Sequence, residues 1–324
     1  MGIQRDARKR ARGLSPVLME IPQKSLQEPP GCELETPPVG LTSMLLEVLA
    51  LCGYGLWLLL GLALGLGIYS GGRGDALVPL LLGCLFVSAG LIVACLRLRL
   101  MPEWHGWLIG SGHRPTREAM LALATYLPMF GLAGLVRGNE AFWATRLTAV
   151  LLVLCSLSCL IISANGYRAR RLARAGVTMQ IPLSRVLSAC YGGGLWLWVC
   201  AIFQDDLLGA DTARWPWVVG LLLLALLLGL ADGLGWQQSL RYPSPDERRR
   251  HTQDLQPQRF LAAALICAVP CTSLLLAPIT LWGRWLALAA ALAYVAGKTM
   301  ELRLYDVAYT RSAESDALWS QNRT

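Results

Sequence analysis

Long blocks without a single charged residue alternate along this chain with short stretches that hold nearly all of its charge. Uncharged runs cover 48–70, 76–96, 119–136, 147–167, 186–204, 215–231 and 260–281, and an eighth, of 13 residues, lies between Arg284 and Lys298. Crossing about 30 Å of hydrocarbon takes roughly 17–25 helical residues, so the first seven runs predict membrane-spanning helices. The eighth predicts a span that Lys298 and Arg303 complete by extending their aliphatic stems to the interface. Leu, Ala and Gly fill these runs, as in helices that pack closely within lipid. The pattern therefore predicts an all-α polytopic membrane bundle of eight transmembrane helices, with no strands. Its parts are a polar tail over 1–43, a membrane domain over 44–304 and a C-terminal tail over 305–324.

Charge gives the bundle an orientation. Threaded in this way, 24 of the 29 Lys and Arg residues fall on one side, in the N-terminal tail, in 97–118, 166–185 and 237–259, and after residue 297. The other side holds only Arg73, Arg137, Arg146, Arg214 and Arg284. Lys and Arg mark cytoplasmic loops, so both termini are predicted to be cytoplasmic in a multi-pass protein of the bacterial inner membrane. A net charge of +8 then reflects topology and attraction to anionic headgroups. It does not predict nucleic-acid binding, because the basic residues are dispersed with little aromatic interleaving. Pro29-Pro30 and Pro37-Pro38 oppose helix in the tail, which reads as a disordered cytoplasmic segment. The first apolar run begins too late, and is too long, for a cleavable signal.

Few residues can carry chemistry. Nine of the ten cysteines sit in apolar runs, and none forms the tight thiolate cluster that iron–sulfur ligation needs, so they read as small packing residues. The three histidines, His105, His113 and His251, all lie in inner loops. With none inside a span to serve as an axial ligand, no haem is expected, nor any metal site. Ionisable residues at membrane depth point to function, and here Glu47, Asp232, Lys298 and Glu301 mark inner helix ends; Asp232 reads as an interfacial anchor. The loop 97–118 is richest, with His105, His113, Glu103, Glu118, Arg97, Arg99, Arg114 and Arg117. A quinone head needs hydrogen-bond partners for two carbonyls and a proton carrier, and imidazole and carboxylate at the lipid boundary supply both. A secondary transporter would instead place polar residues near the midplane and show internal duplication; neither stands out in the sequence.

Four stretches resemble the DMSO reductase membrane-anchor family, the eight-helix subunits of molybdopterin oxidoreductases, and most of all the branch that accompanies cytoplasmic sulfite-oxidising complexes. They are Gly53-Tyr54-Gly55-Leu56; Pro102-Glu103 followed by Arg117-Glu118-Ala119-Met120 through Tyr126-Leu127-Pro128; Ser163-Ala164-Asn165-Gly166-Tyr167-Arg168 with Ile181-Pro182-Leu183; and Met300-Glu301-Leu302-Arg303-Leu304-Tyr305. The chain departs from the family at Leu98-Arg99-Leu100-Met101, where a His-Leu-Gly-type sequence is usual. That leaves His105 and His113 as the imidazoles available to the role of the family's quinol-binding histidine. The resemblance implies a non-catalytic subunit that holds no metal, haem or iron–sulfur cluster of its own. It implies exchange with ubiquinone or menaquinone, and cytoplasmic partners comprising an iron–sulfur electron-transfer subunit and a molybdopterin catalytic subunit. The candidate quinone-binding residues are His105, His113, Arg114, Arg117, Glu118 and Glu301. The alternative reading is a small-molecule secondary transporter.

Overall fold

Each uncharged run forms the body of one helix. The computed structural model describes residues 41–68, 73–96, 117–136, 143–171, 180–204, 214–239, 256–277 and 282–321. The chain divides into two units, 1–38 and 39–324, and everything described belongs to the second. The N-terminal tail through residue 40, the loop segment 97–116 and His251 lie outside the described residues.

The described residues are all helical: α1 (Leu41–Leu66), α2 (Leu77–Leu96), α3 (Arg117–Leu135), α4 (Trp143–Arg171), α5 (Gln180–Phe203), α6 (Arg214–Ser239), α7 (Gln256–Leu276) and α8 (Gly283–Gln321). Six of them, α1, α2, α4, α5, α6 and α7, are long and apolar enough to cross a membrane. The apolar stretch of α3, Met120–Leu135, is shorter, and α8 is apolar only until Lys298 interrupts it. These are the helices of a multi-pass membrane protein. Their outward faces stay apolar, with Leu223, Leu226 and Leu230 on α6 and Leu123, Leu127 and Phe130 on α3 all exposed; in water such faces would be strongly unfavourable. Exposed Trp143, Trp215, Trp282 and Trp285 mark the starts of α4, α6 and α8, the amphipathic rings expected where helices meet headgroups.

Helix α8 runs on through Gln321, so the segment after 304 continues a helix. No Gly or Pro occurs between Lys298 and Gln321 to break it.

Packing follows a pattern that repeats. Within α1–α4, the first helix packs on the second and fourth, and the third packs on the fourth and second. Within α5–α8 the same pairs meet: α5 with α6 and α8, and α7 with α8 and α6. The two sets join through α1 against α5, flanked by α4 on α5 and α1 on α8. Exchanging the sets, α1 for α5 through α4 for α8, preserves these pairings. The sequence carries a short trace of the duplication, Gly-x-Gly-Leu-Trp-Leu, at 53–58 and again at 192–197.

At the centre α1 and α5 touch backbone to backbone. A Cβ on Gly55 would overlap the Ala189 carbonyl, and one on Gly193 would overlap the Gly55–Leu56 peptide. Small residues at such crossings let main chains approach closely. Above this point Trp57, fully buried, donates from Nε1 to the Leu80 carbonyl (3.1 Å) and sets its ring edge-on to Tyr54 and Tyr126. Gly83 leaves the room its indole occupies.

One turn of α7, Ala264–Ala268, is π-helical. Pro270 lacks an N–H and crowds the carbonyl four residues back, and widening that turn accommodates it. Wide turns of this kind are frequent at functional sites.

Candidate functional site

Polar side chains gather at one end of the bundle, where α1 and α5 begin, α6 ends and α8 passes. The cause is local and periodic. Ser184, Ser188 and Tyr191 follow one another at i, i+4 and i+7 along α5, and Tyr294, Lys298 and Glu301 do the same along α8. That spacing keeps each set on one helix face, and α5 packs against α8, so the two polar stripes share a buried seam.

Lys298 is the hub. Its Nζ lies 3.0 Å from Asp232 Oδ2 and 2.7 Å from Glu301 Oε2, and its side chain is 10% exposed, so the ammonium is held by protein carboxylates rather than by water. Ser184 donates to the other Asp232 oxygen. The next residue, Arg185, turns a further 100° around α5 and pairs with Glu47 of α1. Arg259, at the start of α7, acts electrostatically on Glu301. Three carboxylates thus meet three cations, which a low-dielectric interior requires of buried charge. Glu301 Oε2 is buried against the Lys298 ammonium, and a carboxylate oxygen that meets one cation still has a second lone pair with which to accept a bond.

Hydroxyls and thiols continue inward from the charges. Tyr294, fully buried, bonds with the Ser188 hydroxyl (2.7 Å) and donates to the Ser188 carbonyl (2.6 Å). Its ring stands edge-on to Tyr191, with centroids 5.3 Å apart, and Tyr191 OH lies 4.0 Å from Cys271 Sγ. Gly297, beside Lys298, packs directly on the π-helical turn of α7 at Leu265 and Ile266. That turn also presents Cys267 to the charge cluster, where Asp232, Glu301 and Lys298 all act on it.

Of the residues expected from sequence to bind quinone, the structure sets Glu301 in this cluster. Arg117 and Glu118 open α3, while His105, His113 and Arg114 lie outside the described residues. Asp232, read from sequence as an interfacial anchor, is instead tied to Ser184 and Lys298. A buried lysine stands opposite it, and a carboxylate there is worth more paired than solvated. Glu47 and Lys298, both noted at inner helix ends, belong to the same constellation. Ser184, Ser188, Tyr191 and Tyr294 went unnoticed because each reads alone as a tolerated residue in an apolar run; their shared i, i+4, i+7 spacing was the available signal. The eight described cysteines within helices are all free, and among the described residues no group of His, Cys, Asp and Glu could hold a metal ion. Comparison of the chain with protein-family models, curated proteins and solved structures finds no match.

Proposed function

We propose that this chain is the integral membrane anchor subunit of a molybdopterin and iron–sulfur oxidoreductase complex. In this role it binds quinone or quinol and links redox subunits on the cytoplasmic face to the quinone pool of a bacterial inner membrane. All eight helices span the bilayer, including the shorter α3 and the first part of α8, and both termini are cytoplasmic. The observation that carries the reading is the Asp232–Lys298–Glu301 cluster at the end of the bundle that bears the arginine-rich segments. An ammonium can donate to a quinone carbonyl, and a carboxylate with spare acceptor capacity can take a hydroxyl proton from a quinol. The donor set therefore fits a quinone head. Bound there, quinone supplies the two-electron chemistry, while Lys298 and Glu301 orient the ring and hold its protons. Candidates His105, His113, Arg114, Arg117 and Glu118 would close the same end from the α2–α3 connection.

One observation favours a second reading. A helix with a π-helical turn beside a buried Asp–Lys–Glu set, within a bundle of two helix sets that pair alike, is also how a small-molecule secondary transporter builds its site. A single preparation separates the two. The full-length chain is tagged and extracted in mild detergent, and a photoreactive quinone is applied to the native membranes. Co-purification of iron–sulfur and molybdopterin subunits, with labelling of the peptide spanning 294–301, supports the anchor. A chain that emerges alone, unlabelled, and that drives solute uptake in proteoliposomes establishes the transporter.

A further inference from the structure

The seam described above does not end at the charges. Along α8, Lys298 lies fifteen residues from Gly283 and Tyr294 eleven, or about 22 and about 16 Å at 1.5 Å per residue. Along α5, Tyr191 lies eleven residues from Gln180, again about 16 Å. Against a hydrocarbon core of about 30 Å, the Tyr191–Tyr294 pair reaches the middle of the bundle, whereas Glu301 stays close to the boundary. Polar groups this deep are costly and call for a use.

We propose that the α5–α8 half contains a proton path from the charged end to the bundle interior, running Glu301, Lys298, Asp232, Ser184, Ser188, Tyr294 and Tyr191 to Cys271. The geometry supplies most of its links: Lys298 touches both carboxylates, Ser184 donates to Asp232, Ser188 and Tyr294 bond to one another, and Tyr191 meets Cys271. Two gaps remain, Ser184 to Ser188, one helical turn apart, and Tyr294 to Tyr191, whose rings meet edge-on; the path requires a bridging water at each. Every hop conserves atoms. Lys298 passes one ammonium proton to Asp232 and takes another from protonated Glu301. Each hydroxyl then accepts one proton on its oxygen lone pair as it releases its own to the next group, and Cys271 gives up its S–H proton along the same chain in exchange for the incoming one, so that one proton is exchanged and every group ends as it began. The groups facing the path from neighbouring helices are Glu47 and Cys52 of α1, Arg185 of α5, and Arg259 and Cys267 of α7. They leave the charged end electrically balanced, and the inner end holds only neutral donors. The first four helices hold no matching stripe among their described residues: Cys155, Cys159 and Ile162 stand 139 positions before Tyr294, Lys298 and Glu301, the offset of the repeated Gly-x-Gly-Leu-Trp-Leu motif.

The thiol at the inner end is its own reporter. The full-length chain is reconstituted in lipid and moved into D2O, and conversion of S–H to S–D is followed by infrared spectroscopy, with the Cys271 band assigned from Cys271→Ala. Tyr294→Phe keeps the ring and its edge contact with Tyr191 but removes the hydroxyl. It is expected to slow exchange at Cys271 by about tenfold, the effect of about 1.4 kcal/mol on a barrier, and Ser188→Ala is expected to do the same. Tyr54→Phe, which lies off the path, is expected to leave the rate unchanged. Exchange at the wild-type rate in Tyr294→Phe and Ser188→Ala overturns the path, as does equal slowing in Tyr54→Phe. Neither quinone nor partner subunits enter the measurement, so it stands or falls separately from the anchor reading.

Discussion

Replacing Lys298 with methionine should damage the fold more than any other single change in the charged end. The side chain keeps its length and apolar stem but loses the ammonium between two carboxylates. At an effective dielectric of about 20, ion pairs at 3.0 and 2.7 Å are worth about 5.5 and about 6 kcal/mol before desolvation. Desolvation offsets much of that in the intact site, yet removing the cation leaves Asp232 and Glu301 buried with like charge. Breaking a buried pair from one side typically costs about 3–5 kcal/mol, and Lys298→Met is expected to fall in that range. Adding Asp232→Asn to the variant removes one stranded charge and should restore the larger part of the loss. The measurement is unfolding of the purified chain by titration with SDS, comparing wild type, both single variants and the double variant as a cycle. A Lys298→Met chain within about 1 kcal/mol of wild type, with no gain from the second substitution, would refute the claim that these charges depend on one another.

Other consequences are equally open to measurement. Leucine at Gly55 or Gly193 should prevent α1 and α5 from meeting and sharply reduce folded protein in detergent, while Gly134→Ala, where a Cβ meets open space, should be neutral; equal yields of all three would remove the central crossing from the account. Trp57→Phe removes the indole bond to the Leu80 carbonyl, which keeps its helical N–H within α2, and should cost about 1 kcal/mol for that bond, read in the same SDS titration. Cysteines placed singly at Gly110 and Ala210 in a cysteine-free background should react from opposite membrane faces; labelling of both from outside intact cells would contradict the orientation. Replacing Arg117 or Glu118 should impair quinone-linked electron transfer while leaving the chain assembled, and wild-type turnover in both variants would exclude them from the site.

The helices were legible because hydrocarbon length imposes a coarse rule that uncharged blocks satisfy or fail. Their ends were less so: α1 begins at Leu41, ahead of its uncharged run, because Glu47 finds Arg185 and can be buried inside the helix. The charge cluster was half visible. Glu47, Asp232, Lys298 and Glu301 stood out at helix ends, but Glu47 pairs with Arg185, 138 residues on, and Lys298 with Asp232, 66 residues back, and only tertiary packing brings them together. The widened turn of α7 had one sequence sign, Pro270 within an apolar run, and proline alone does not say whether a helix kinks, widens or carries on, as α3 does through Pro128. The duplication stayed hidden because leucine-rich helices resemble one another everywhere, leaving a six-residue echo as the sole trace.

The backbone contact between Gly55 and Gly193 limits how the protein can move. A Cβ at either glycine would overlap the partner's main chain, so nothing larger than hydrogen separates α1 from α5 there. Parting the two helices at this point would uncover peptide groups in an apolar setting, a change that costs free energy unless water or another chain replaces the lost contact.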